Sequence, residues 1–135
     1  MPVSRWSRWI DWLAGALLVL VAAVHLNLYS RDGYRAIPVI GWLFVLTVVT
    51  AVLLAVLVVL RPSVIVQSGA ALFCLSVLGG YVLSLVLPSG MFGFKETAIS
   101  ASGWIAIVAE SAVAVLLVPT VVVQRRARGT RPLRR

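Results

Sequence analysis

One cysteine, one histidine and four acidic residues are all that 135 positions contain of those types. A lone Cys74 excludes an internal disulfide and a CxxC redox pair. A lone His25 leaves too few ligands for the usual zinc site, which needs three or four, so no metal is expected. Charged residues make up 12% of the chain, about half the roughly 25% of a soluble domain. Hydrophobic residues make up 61%. Too little polar surface remains to cover a soluble globule, and the same balance excludes disorder or a disulfide framework. No nucleophile–base pair, phosphate loop or cofactor motif is present. The sequence therefore leans away from an enzyme, and no cofactor is expected.

What is present is long apolar runs. About 20 mostly apolar residues cross a bilayer as a helix, and four segments qualify: 10–29, 38–60, 64–87 and 103–123. Valine and leucine dominate them. Valine favours strands in water, but lipid offers no partner for an open strand edge, so helices are required. The fold class expected is all-α, a single-domain four-helix transmembrane bundle. Pro38 suits a first helical turn. Arg61-Pro62-Ser63 makes a tight turn and sets spans two and three side by side, antiparallel. Pro88-Ser89-Gly90 stops the third span. Trp6, Trp9, Trp12, Tyr34 and Trp42 fall where interfacial rings belong.

The net charge of +8 is gathered at the chain ends. Nine basic residues lie on one side of the spans: Arg5, Arg8, Arg61, Arg125, Arg126, Arg128, Arg131, Arg134 and Arg135. Three lie on the other: Arg31, Arg35 and Lys95. Both termini are then expected in the cytoplasm of a multi-pass cell-membrane protein. The basic tail 124–135 is expected to meet anionic lipid, each cation contributing about 1 kcal/mol near the leaflet. A cytoplasmic docking partner is the alternative. Without interleaved aromatics the tail does not fit nucleic acid. Arg5, Arg8 and Val21-Ala22-Ala23 also resemble a cleavable leader. The helix pattern continues past that site, which favours a retained span.

Small residues mark close helix contacts in lipid. Ser76, Gly80 and Ser84 recur in the third span. Ser102, Ala106, Glu110 and Ala114 recur in the fourth. Gly15, Leu18, Ala22, His25 and Tyr29 form a stripe on the first. Glu110 is the most informative residue. It lies roughly 4–5 Å outward of its span's centre at 1.5 Å per residue. An ionised carboxylate there costs about 2.5 kcal/mol or more, so it must be protonated, paired or facing a wet cavity. His25 lies roughly 8 Å outward of centre by the same count. Tyr29, Tyr81 and Ser84 reach similar depth. His25, Tyr29, Tyr81, Ser84 and Glu110 thus form a candidate intramembrane polar site, either a proton relay or a structural clasp. Asp11 is expected to cap its helix or pair with Arg8 or a neighbouring arginine. Asn27, Thr47 and Thr50 are expected in interhelical or back-bonding roles, and Cys74 as a small buried hydrophobe.

His25-Leu26-Asn27-Leu28-Tyr29, Gly33-Tyr34-Arg35-Ala36-Ile37-Pro38 through Phe44, Gly79-Gly80 with Ser84, and Gly90-Met91-Phe92-Gly93-Phe94-Lys95-Glu96 carry a resemblance. The pattern is similar to a family of small four-span membrane proteins of actinobacteria, over roughly residues 22–110. That family supplies no activity. The resemblance implies that the His25–Tyr29 face and the two loops belong to its fold. The loop segment Phe92-Gly93-Phe94 is expected either to tuck over the bundle mouth or to form an ordinary interfacial loop, with Lys95-Glu96 solvated. Two functions follow as expectations. The first is a non-enzymatic accessory or interaction subunit, with a membrane-protein partner or a second copy. The alternative is a small transporter or lipophilic-ligand binder using Glu110 and His25.

Overall fold

A computed structural model describes residues 5–129, with side chains described for 8–127. Four helices run in order: α1 (Arg5–Arg31), α2 (Pro38–Leu60), α3 (Val64–Val86) and α4 (Ala101–Gly129). Each is long and apolar enough to cross a membrane. The described residues contain no β-strand, only an isolated bridge between Met91 and Phe94. Large apolar side chains cover the outside, among them Trp42, Leu53, Ile65, Val108 and Val115. A soluble monomer does not carry so continuous an apolar exterior; this is the exterior of a multi-pass membrane bundle.

Local chemistry sets the helix starts. Pro38 opens α2, where its missing N–H is no loss. The Ser63 hydroxyl caps α3 by accepting from the Val66 N–H at 3.2 Å. The Ser100 hydroxyl does the same for α4, accepting from the Gly103 N–H at 3.0 Å. Pro119 lies inside α4. One residue on, the Thr120 hydroxyl donates to the Leu116 carbonyl at 2.9 Å.

One end of the bundle carries the α2–α3 turn and the outer ends of α1 and α4. The other carries the two longer loops, 32–37 and 87–100. α1 packs closely on α2 and α4, and α3 on α4, whereas α2 and α3 touch least of the adjacent helices. Gly15 allows the α1–α2 approach: a Cβ there would lie 2.6 Å from Val59 Cγ2 and 3.4 Å from the Ala55 carbonyl oxygen. Near the turn, Ala55 and Val58 of α2 share a core with Ala70, Ala71 and Cys74 of α3. Toward the loop end the two helices part. The tight turn thus makes them neighbours at one end only, and the expected side-by-side pairing does not extend along their length.

The small-residue stripe of α3 has a corresponding fate. Ser76, Gly80 and Ser84 were expected to mark a close helix contact. They form the wall of the space that opens between α2 and α3. Gly79, beside them, faces open surroundings.

Candidate functional site

That space is a cavity of about 350 Å³, toward the small end of the roughly 300–1,000 Å³ of small-molecule sites. Its walls are mostly apolar: Phe44 and Leu46 from α2, Phe73 and Val77 from α3, Ala106 and Ile107 from α4. Rim residues Leu43 and Leu46 of α2 and Ser76 of α3 are exposed, as is Ser100 at the loop end. The cavity therefore opens sideways, between α2 and α3, onto the apolar exterior.

His25 and Glu110 are buried in the cavity lining. His25 Nε2 is 3.6 Å from Glu110 Oε1, with the side chains 7% and 3% exposed. That distance is too long for a hydrogen bond. Glu110 Oε1 has no hydrogen-bond partner among the described residues. His25 Nδ1 lies 2.9 Å from the Val21 carbonyl oxygen, on its own helix. A carbonyl only accepts, so the hydrogen of that bond is on Nδ1, and Nε2 is the nitrogen turned to Glu110. A buried polar atom left unpaired is rare enough to need a cause.

An aromatic column links this pair to the loops. The His25 and Phe44 rings are 5.2 Å apart, Phe44 and Tyr34 stack at 4.8 Å, and Phe94 meets Tyr34 edge-on at 5.6 Å. Tyr34 donates its hydroxyl to Glu96 Oε2 at 2.6 Å. The Glu96 N–H donates to the Ser84 carbonyl at 3.1 Å. Both loops are thereby tied over the cavity. Burial, reinforced by the Glu96 carboxylate, holds the Tyr34 phenol above its usual range, so it remains a donor. Phe94 does tuck over the bundle mouth and lines the cavity, whereas Phe92 is exposed. Glu96 is half-buried and bonded rather than solvated, while Lys95 is exposed.

Four of the five expected site residues, His25, Tyr81, Ser84 and Glu110, line this one cavity. Tyr29 is half-buried on α1 and is not among its lining residues. Ser84 donates its hydroxyl to the Tyr81 carbonyl at 2.7 Å, so its hydrogen is spent locally. Thr47 and Thr50 also line the cavity. Asn27 bridges helices as expected, its amide donating to Ser102 Oγ at 3.3 Å. Sequence reasoning missed Phe44, Tyr34, Phe94 and Glu96 as members of the site. Phe44 had a usable signal, since it follows the Pro38 helix start by fewer than two turns and so shares the depth of His25.

A second polar group lies at the opposite end. Gln67 donates to Asp11 Oδ1 at 2.7 Å and accepts from Gln124 Nε2 at 3.1 Å, tying α1, α3 and α4 together. Asp11 is therefore a buried interhelical acceptor rather than a helix cap, with Arg8 acting on it only through its charge. Arg125 donates to Ser68 Oγ at 3.4 Å. Arg126 has an interaction of its own. The Arg128 side chain and Arg131, Arg134 and Arg135 lie outside the described residues, as do the side chains of Arg5 and Trp6. Cys74 is buried and free, as expected. No group of three or more metal-ligating side chains occurs among the described residues. No protein-family model, curated protein or solved structure matches this chain.

Proposed function

We propose that this chain is a lipophilic-ligand-binding protein of the cell membrane, with its site in the outer half of the bilayer. The excess of arginine at the turn end supports cytoplasmic termini, by the positive-inside rule. That orientation puts the loops outside and the cavity near the outer leaflet. The basic tail then lies against anionic cytoplasmic lipid, Arg125 to Arg135 supplying the attraction.

One observation carries the reading. A mostly apolar cavity opens sideways between α2 and α3, and in its lining a buried, partnerless carboxylate oxygen faces a histidine. Helices that only needed to pack would close this gap, because lipid-facing bundles gain from close van der Waals contact. Apolar walls around a few convergent polar groups are the usual form of a small-molecule site. No step here requires bond making or breaking.

Native mass spectrometry of the protein extracted gently from its own membrane tests this. The expected result is one small lipophilic mass retained per chain. Gly80→Leu should remove it while leaving thermal stability near that of the parent. Gly80 lines the cavity, and a Cβ there would meet Met91 Sδ at an ordinary 3.6 Å, so a side chain can begin at this position without moving the backbone. A bare chain accompanied by a stoichiometric second protein would overturn ligand binding and favour an accessory subunit instead.

A further inference from the structure

We infer that the occupant is a neutral long-chain alcohol, its hydroxyl seated on Glu110 and His25 and its chain leaving between α2 and α3. This rests on the ligand-binding reading above and names the class of ligand.

The head group follows from donor and acceptor counts. His25 Nδ1 is engaged by the Val21 carbonyl, so only Nε2 is free to meet a ligand. Glu110 Oε1 is 3.6 Å away and unpaired. An apolar cavity favours a pair that is neutral overall, so Nε2 and the carboxyl hold one proton between them. With the proton on Glu110, the acid donates and Nε2 accepts. With it on Nε2, the imidazolium donates and the carboxylate accepts. Both forms are neutral overall, and both offer one donor and one acceptor. A hydroxyl oxygen answers both at once, donating to one group and accepting from the other. An oxygen on the cavity side of the pair reaches each at a normal distance of about 2.8 Å.

Other head groups match less well. An ether or ketone only accepts and leaves the site's acceptor unmet. A carboxylate brings negative charge into a cavity whose lining holds Glu96 and Glu110 and no lysine or arginine. An alkylammonium brings three donors to two acceptors, with a full charge among phenylalanine, valine and isoleucine. The tail follows from the opening. Leu43, Leu46 and Ser76 form an exposed rim on the lipid-facing side. The loop side is held by the Tyr34–Glu96 bond and the Tyr34–Phe94 contact. A chain extending from the hydroxyl therefore runs into lipid rather than into water.

The test is photo-crosslinking in phospholipid vesicles with a diazirine-bearing hexadecanol, competed by hexadecanol, its methyl ether, hexadecylamine and palmitic acid. Saturable labelling of α2 and α3 is expected. Hexadecanol should compete about tenfold better than its methyl ether, the ratio given by one hydrogen bond of about 1.4 kcal/mol. The double variant His25→Leu/Glu110→Leu, which removes both polar groups, should bring the two competitors level. Glu110→Gln, which keeps a donor and an acceptor in place, should retain the preference. Saturable labelling with alcohol and ether equal, or with amine or acid stronger, overturns the alcohol assignment and leaves the cavity reading standing. Absence of saturable labelling at α2 and α3 overturns both. The comparison of competitors on the parent protein decides the matter even where a Glu110 variant does not fold.

Discussion

Gln67 shows how much a single amide carries in this bundle. It donates to Asp11 and accepts from Gln124, and Asp11 is only 4% exposed. Measured interhelical hydrogen bonds in membrane proteins average about 0.6 kcal/mol. An orphaned buried polar group costs about 1–3 kcal/mol. The larger figure governs Gln67→Leu, because the Asp11 carboxyl stays buried with no partner, while half-buried Gln124 can turn outward. Gln67→Leu is expected to destabilise by about 1–3 kcal/mol, read by unfolding in mixed micelles. The double variant Asp11→Leu/Gln67→Leu should cost less than Gln67→Leu alone. A double variant at or above the sum of the two single losses would discard the orphaned-carboxyl account. The same energetics explain what the sequence revealed. Glu110 and His25 stand out because mid-membrane polar groups are costly and must be accommodated. Gln67 did not stand out, because an uncharged amide near a helix end is cheap and has many ordinary roles. Its partner Asp11 lies in another helix, and only the packed bundle brings them together.

The segment between α3 and α4 is the least regular element, and it is held at a few points. Gly90 sits at φ +68, and a Cβ there would fall 2.0 Å from the Phe94 carbonyl oxygen. No other residue fits that turn. Directly after it, Met91 and Phe94 exchange backbone hydrogen bonds of 2.8 and 3.0 Å across Phe92 and Gly93. The Tyr34–Glu96 bond then fastens the segment to the first loop. Tyr34 binds its proton more tightly in the folded state, so its contribution is intact below the free phenol's value of about 10 and falls as pH rises beyond it. Amide protection at Phe94 and Glu96, followed by hydrogen exchange, should hold from neutral pH to about 10 and then drop. Tyr34→Phe should lower that protection at neutral pH and remove the alkaline step, while its ring keeps the Phe44 stack. An unchanged alkaline step in Tyr34→Phe would assign the titration to another group. The helices themselves were legible. α2 begins at Pro38 and ends at Leu60 as its apolar run does, since lipid leaves no other structure. α1 and α4 continue past their apolar runs, because helical hydrogen bonding does not stop where hydrophobicity does. The stripe Ser76, Gly80 and Ser84 was legible as a face but not as a cavity wall. Four-residue spacing of small side chains serves a close contact and an open space equally, and the splay of α2 decides between them.

At the scale of the whole bundle, the buried polar side chains among the described residues fall into two layers. Asp11 and Gln67 lie near the turn end, and His25, Ser84 and Glu110 near the loop end. From Asp11 to His25 along α1, and from Gln124 to Glu110 along α4, the rise is about 21 Å at 1.5 Å per residue. Ala14, Leu18, Val21, Val113 and Leu117 fill the interval, all fully buried. Cys74 is the most polar buried side chain there, and it behaves as a hydrophobe. Proton transfer needs a chain of donors and acceptors within hydrogen-bond reach, and an apolar interior closely packed stays dry. The bundle in this conformation therefore opens its cavity to the apolar exterior beside it and not to the opposite end of the helices. This separates ligand binding from transport. Vesicles containing the protein and an internal pH dye, placed under a proton gradient, should lose the gradient at the rate of empty vesicles. Adding hexadecanol should not accelerate the loss. A protein-dependent flux that Glu110→Gln abolishes would mean that the dry interval opens during a working cycle. The cavity would then be the loading station of a transporter, and the polar layer at Asp11, Gln67 and Gln124 its exit.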